Sequence, residues 1–152
     1  TDAIRKELGA AAGVTSAVGG AWGEGLYAPA WTERTYARTR ELAKAAWGEG
    51  RRALVDACFA SESKRAPFLE AARAHGVRAA VLHLEVPAQL ARARLAQRTG
   101  DPSDADAATH DRMALAWEPF RPGAAVTRID ASGVPACTEA QALQALRTAG
   151  LL

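Results

Sequence analysis

From Arg51 onward the chain alternates unbroken apolar runs with stretches of helical spacing, and this alternation constrains the fold more than any other feature. ALVDACF is apolar almost throughout, not at every second position, as in strands buried on both faces. SESKRAPFLEAARAHG then reads as a helix and VRAAVLHLEV as a second buried strand. PAQLARARLAQRTG follows as a helix opened by Pro87, since proline is tolerated at the first helical position. The polar residues 100–104 precede another helical stretch through Ala116. AAVTRIDAS is then the last strand and TEAQALQALRTAG a helix capped by Thr138. Such repetition marks right-handed βαβ crossovers, so the expected fold class is α/β, three layers (α/β/α) around a parallel sheet.

The first fifty residues read differently. TDAIRKELGA is expected as a short helix with Asp2 at its start, Ile4 and Leu8 on one face, and Gly9 as its stop. A glycine-rich segment holding Trp22, Tyr27 and Trp31 suits a loop that wraps a ligand, or a plain linker. Thr32 then caps a long helix, TERTYARTRELAKAAW, that ends at Gly48-Glu49-Gly50.

A chain of 152 residues, 49% hydrophobic, closes one core, so a single domain over 1–152 is expected. A net charge of +2 does not mark a nucleic-acid coat. Cys58 and Cys137 lack CxxC or disulfide-framework spacing, and His75, His83 and His110 lack metal-ligand spacing. Buried free thiols in a reducing cytoplasm are the expectation. No apolar run approaches the ~20 residues of a membrane span. Three strands are fewer than the about five usual for a doubly wound sheet. A further segment in front of Thr1 is therefore expected, and without it an exposed sheet edge that favours a dimer.

The series TDAIRKEL, a glycine-rich segment with Tyr27, TERTYARTRELA, GRRALVDACF, Lys64-Arg65, and ARARLAQR followed by SDAD is similar to the P-loop kinase-like family of AAA-type ATPases. That family is related to polynucleotide kinase and zeta toxin and is often fused to an aminoglycoside-phosphotransferase-like domain. The resemblance spans Thr1 to about Asp130. It implies a nucleoside-kinase-like P-loop fold, here lacking the first strand and the P-loop, because no G-x-x-x-x-G-K-[ST] occurs in the sequence. It implies ATP and Mg2+ as cofactors. The reaction it implies moves the γ-phosphoryl to a hydroxyl on a small molecule or a nucleic-acid end. The alternative is a non-catalytic module that binds a ligand or partner without turnover.

By the same resemblance Asp2 orients or deprotonates the acceptor hydroxyl. Arg5, three residues on and on the same side of a helix, binds substrate with Tyr27 and Arg65. Asp56, closing the ALVDACF strand, stands near metal or substrate, with Cys58 where the family has a hydroxyl residue. Arg94 and Arg98, four apart on one helix face, close a lid of about 88–117 over the phosphates. Read from spacing alone, Asp2 is equally a helix cap beside a solvated Arg5, and Arg94 and Arg98 are equally a solvated basic face. Ser103-Asp104 matches the family or caps the next helix, and Asp130 is read as structural.

Overall fold

The computed structural model describes residues 1–14, 23, 25–99 and 105–152. Trp22, Ser103 and Asp104, with most of the glycine-rich segment, lie outside the described residues.

The elements are α1 (Asp2–Ala11), a 3-10 turn (Gly25–Tyr27), α2 (Pro29–Gly48), α3 (Glu62–Ala74), β1 (Val81–Glu85), α4 (Ala88–Gln97), α5 (Ala107–Leu115), β2 (Val126–Asp130) and α6 (Pro135–Thr148). The fold is α/β. β1 and β2 pair in parallel with Val81 opposite Val126 and Glu85 opposite Asp130. Ile129 of β2 is buried, at 2% exposed, and α6 packs on this strand.

Several boundaries differ from expectation. α1 runs two residues past Gly9, because Gly9 serves packing and not termination: a Cβ there would lie 2.6 and 2.8 Å from the Leu26 methyls and 2.9 Å from the Val14 carbonyl. α2 starts at Pro29, ahead of Thr32, whose amide already donates to Ala28 O at 3.0 Å. Proline preset for the first helical position outcompetes the hydroxyl cap. Pro135 does the same for α6, leaving Thr138 inside the helix with its hydroxyl 3.4 Å from Asp130 O.

ALVDACF forms no strand. Residues 51–60 carry no ladder, and Leu54 is 93% exposed. An apolar run fits burial, but a strand also needs a neighbour for its backbone donors and acceptors. Asp56 therefore does not close a strand, and its carbonyl accepts from the Thr1 ammonium at 2.9 Å. Cys58, on this segment, and Cys137 are exposed and not buried.

The helical core lies between α2 and α3. Thr35, Tyr36, Thr39, Ala43 and Ala46 form the buried stripe of α2, at helical spacing. Both threonines return their hydroxyl protons to the carbonyl four residues back, at 2.8 Å, which satisfies them inside apolar surroundings. Phe68 and Ala72 of α3 face this stripe, and Phe59 packs edge-on against Tyr36 and Phe68 at 5.6 and 5.1 Å. Among the described residues no helix is long and apolar enough to cross a membrane.

Candidate functional site

The first turn of α1 presents Asp2 and, one turn on, Arg5. Arg5 is 7% exposed, and its Nη1 donates to Leu26 O at 2.8 Å and to Thr32 Oγ1 at 3.2 Å. Its guanidinium lies 4.9 Å from the Tyr27 ring centre. Arg5 thus joins α1, the 3-10 turn and α2. Its Nε is buried without a hydrogen bond and stands 3.9 Å from Asp2 Oδ1, an ion pair too long to satisfy it.

Segment 51–60 closes this corner from the other side. Although Cys58 as a whole residue is exposed, desolvation raises its thiol, and the carboxylates of Asp2 and Asp56 add to the rise. The Thr1 ammonium, next to Asp2 in the chain, donates to Asp56 O at 2.9 Å, which brings the segment of Asp56 to the start of α1. Burial also raises the Tyr36 hydroxyl, opposed by the hydrogen bond from the Phe59 amide. The structure thus brings together four of the expected residues, Asp2, Arg5, Tyr27 and Asp56, and adds Tyr36, which no sequence signal marked.

Arg65 lies elsewhere. At 3% exposure it donates to Phe59 O at 2.8 Å, Glu118 O at 2.9 Å and Pro119 O at 3.3 Å, and its Nε reaches Glu62 Oε2 at 3.3 Å. Its flat face covers Phe120 and Trp117 at 4.5 and 5.5 Å.

The two arginines expected on a lid divide. Arg94 reaches the loop after β2, donating to Ala131 O at 2.5 Å, Ser132 O at 3.1 Å and Gly133 O at 2.9 Å. Arg98 does not share a helix face with it: α4 ends at Gln97, and Arg98 is an extended C-cap bonded to Ala105 O at 2.6 Å. Arg92, between helices, holds Asp111 of α5 at 3.0 Å.

An open cavity of about 380 Å3 lies at the carboxyl ends of β1 and β2, lined by Glu85, Val86, Pro87, Arg128, Asp130 and Gln141. In open α/β sheets ligands bind at this edge. Glu85 pairs with Arg128, and Asp130 accepts from the Ser132 amide at 2.8 Å, which holds its carboxyl below the usual range. Glu85, Arg128 and Gln141 went unmarked in the sequence, although charges at strand ends were the available signal.

Among the described residues no group of three His, Cys, Asp or Glu side chains gathers to hold a metal. Magnesium takes one or two carboxylates and keeps several waters. The exposed Asp56, whose carboxylate carries no hydrogen bond or ion pair among the described residues, fits that mode.

A parallel β1–β2 pair with α6 packed on β2 makes this an α/β protein, an architecture consistent with a P-loop kinase-like fold. The family model described as an AAA domain matches residues 1–120, and the chain belongs to that P-loop, nucleotide-binding family. Neither the curated proteins nor the solved structures contain a match.

Proposed function

We propose that the protein is an ATP-dependent phosphotransferase that moves the γ-phosphoryl to a hydroxyl on a small molecule or a nucleic-acid end. The observation that carries this reading is the Thr1 ammonium's bond to Asp56 O at 2.9 Å, which brings Asp56 to the end of α1 where Asp2 and Arg5 stand, in a chain of this family. Phosphoryl transfer asks the protein for positioning, a proton acceptor and positive charge. Asp2, partly exposed at a helix start, orients the acceptor hydroxyl and takes its proton. Arg5 fixes the corner on which it stands through Leu26 O and Thr32 Oγ1. Magnesium, when bound, neutralises charge on the triphosphate, and Asp56 is the residue that would hold it. Arg94 and Arg98 supply cations from the lid. On closure they exchange carbonyl partners for phosphate oxygens, which are stronger acceptors. Arg65, 3% exposed and bonded to Phe59 O and Glu118 O, has in this reading the part of a support for the site.

Binding without turnover is the second reading, and codons in front of Thr1 that carry no G-x-x-x-x-G-K-[ST] would favour it. Calorimetric titration with ATP and magnesium decides, comparing this chain with one carrying any codons that precede Thr1. A glycine-rich loop in those codons with at least about tenfold tighter binding, ~1.4 kcal/mol, and phosphate release supports the phosphotransferase. Equal affinities without phosphate release overturn it.

A further inference from the structure

Phe59 is the one non-glycine residue at positive φ among the described residues, at 47°. For a bulky side chain this left-handed conformation is strained and persists only where its surroundings enforce it. The surroundings are on both sides of the residue. Its amide donates to Tyr36 Oη at 3.1 Å, and its carbonyl accepts from Arg65 Nη1 at 2.8 Å. The Phe59 ring is held edge-on between Tyr36 and Phe68. Both peptide groups and the side chain are thus fixed by α2 and α3.

Arg65 is itself immobilised from the far side. Its second arm grips Glu118 O and Pro119 O, while the Glu118 amide donates to Ala60 O at 2.8 Å and Glu118 Oε2 accepts from the Glu62 amide at 2.7 Å. The bonds around residues 59–62 therefore form a closed frame with residues 118–119. Three residues before Phe59 stands Asp56, on a segment that no strand ladder supports. With no ladder, the frame and the Thr1 contact are what fix where Asp56 points relative to Asp2.

Resting on the phosphotransferase reading, we infer that Tyr36 and Arg65 are positioning residues: by gripping both peptide groups of Phe59 they hold the turn that keeps Asp56 beside Asp2. Strain of this kind, enforced next to an acidic group, is the pattern of a preorganised site. Neither side chain touches the acceptor in this role. Each acts through the backbone of Phe59.

The test uses the whole chain with Cys137→Ser, so that Cys58 is the one thiol. Tyr36→Phe removes a single oxygen and keeps the ring. In this variant the Phe59 amide is expected to exchange hydrogen about tenfold faster or more, corresponding to ~1.4 kcal/mol of lost local protection. Cys58 is expected to alkylate faster at a fixed pH as the turn opens, while amides of α3 keep their rates. Arg65→Ala is expected to do the same more strongly, with recovery on adding guanidinium, and Arg65→Lys, with no planar fork to span two turns, to stay loosened. Unchanged Phe59 exchange and Cys58 alkylation in Tyr36→Phe overturn the inference. So does a rise spread evenly over α2 and α3 in both variants, since that reports global destabilisation. These readouts need no nucleotide, so they decide the positioning separately from the titration that decides the reaction.

Discussion

Arg5 and Tyr27 stack with the guanidinium 4.9 Å from the ring centre, while the same guanidinium donates to Leu26 O at 2.8 Å. One side chain thus recognises a ring, a carbonyl and the Thr32 hydroxyl, and so welds the start of the candidate site to α2. Arg5→Lys should unfold at lower denaturant, by about 2 kcal/mol, because an ammonium cannot both stack flat and reach two acceptors, and a buried carbonyl is left poorly paired. Urea unfolding followed by circular dichroism checks this. A lysine variant as stable as the parent would mean that Arg5 is free to turn toward substrate.

Gly9 offers a sharper test of the same corner. Alanine in a helix interior is favoured over glycine by about 1 kcal/mol, whereas overpacking costs about 1–3 kcal/mol. Here a Cβ meets two Leu26 methyls, which can turn away, and the Val14 carbonyl at 2.9 Å, which is backbone. The rigid contact decides the sign, so Gly9→Ala should be destabilising by about 1 kcal/mol. Thermal unfolding that moves upward instead would show that α1 packs more loosely on the 3-10 turn.

The parts legible in the sequence are those whose cause is local. The alternation from Val77 to Thr148 resolved into β1, α4, α5, β2 and α6 because strand β1 finds its partner β2 within the same chain. ALVDACF carries an equally apolar signal and forms no strand, since hydropathy reports fitness for burial and not the presence of a neighbour. That Asp2 and Arg5 stand on one side of α1 was readable from helical spacing, but that Arg5 is buried and not solvated was not. Arg98 was not, because α4 ends one residue short of it, and helix ends are where sequence patterns are weakest. The surroundings of Arg65 come from Glu118 and Pro119, more than fifty residues away. No spacing rule reaches that far.

His83 gives a pH prediction. Its ring stacks on Trp117 at 5.0 Å and meets Phe120 edge-on at 5.2 Å, and its Nδ1 is buried without a hydrogen bond, 3.4 Å from Glu85 Oε1. Burial lowers its pKa below the ordinary 6.5; Glu85 opposes the shift, and Arg128 and Arg65 add to it. Between the folded value and 6.5 the unfolded chain binds the additional proton, so this contribution to stability is complete above 6.5 and falls as the pH drops toward the folded value. His83→Gln should flatten that part of the stability profile relative to the parent. A parent profile that is flat, or that rises on acidification through the window, contradicts the assignment.

Asp2→Asn separates chemistry from binding. The amide keeps the size and one acceptor of the carboxylate but cannot take a proton, and a positioned general base contributes typically about 10²–10⁴-fold in rate. In the protein able to bind ATP, turnover should therefore fall by about that factor while affinity for ATP with magnesium stays within about twofold, as expected when an interaction made in the transition state is removed. Arg98→Ala should act in the opposite sense, weakening nucleotide retention more than turnover, since Arg98 lies past the end of α4, bonded to Ala105 O, and not in the corner of Arg5. Steady-state kinetics beside calorimetry on both variants distinguishes the two. If Asp2→Asn turned over at the parent rate, the acceptor hydroxyl would be deprotonated elsewhere, and the contact that brings the segment of Asp56 to the start of α1 would be a feature of the fold without a part in the reaction.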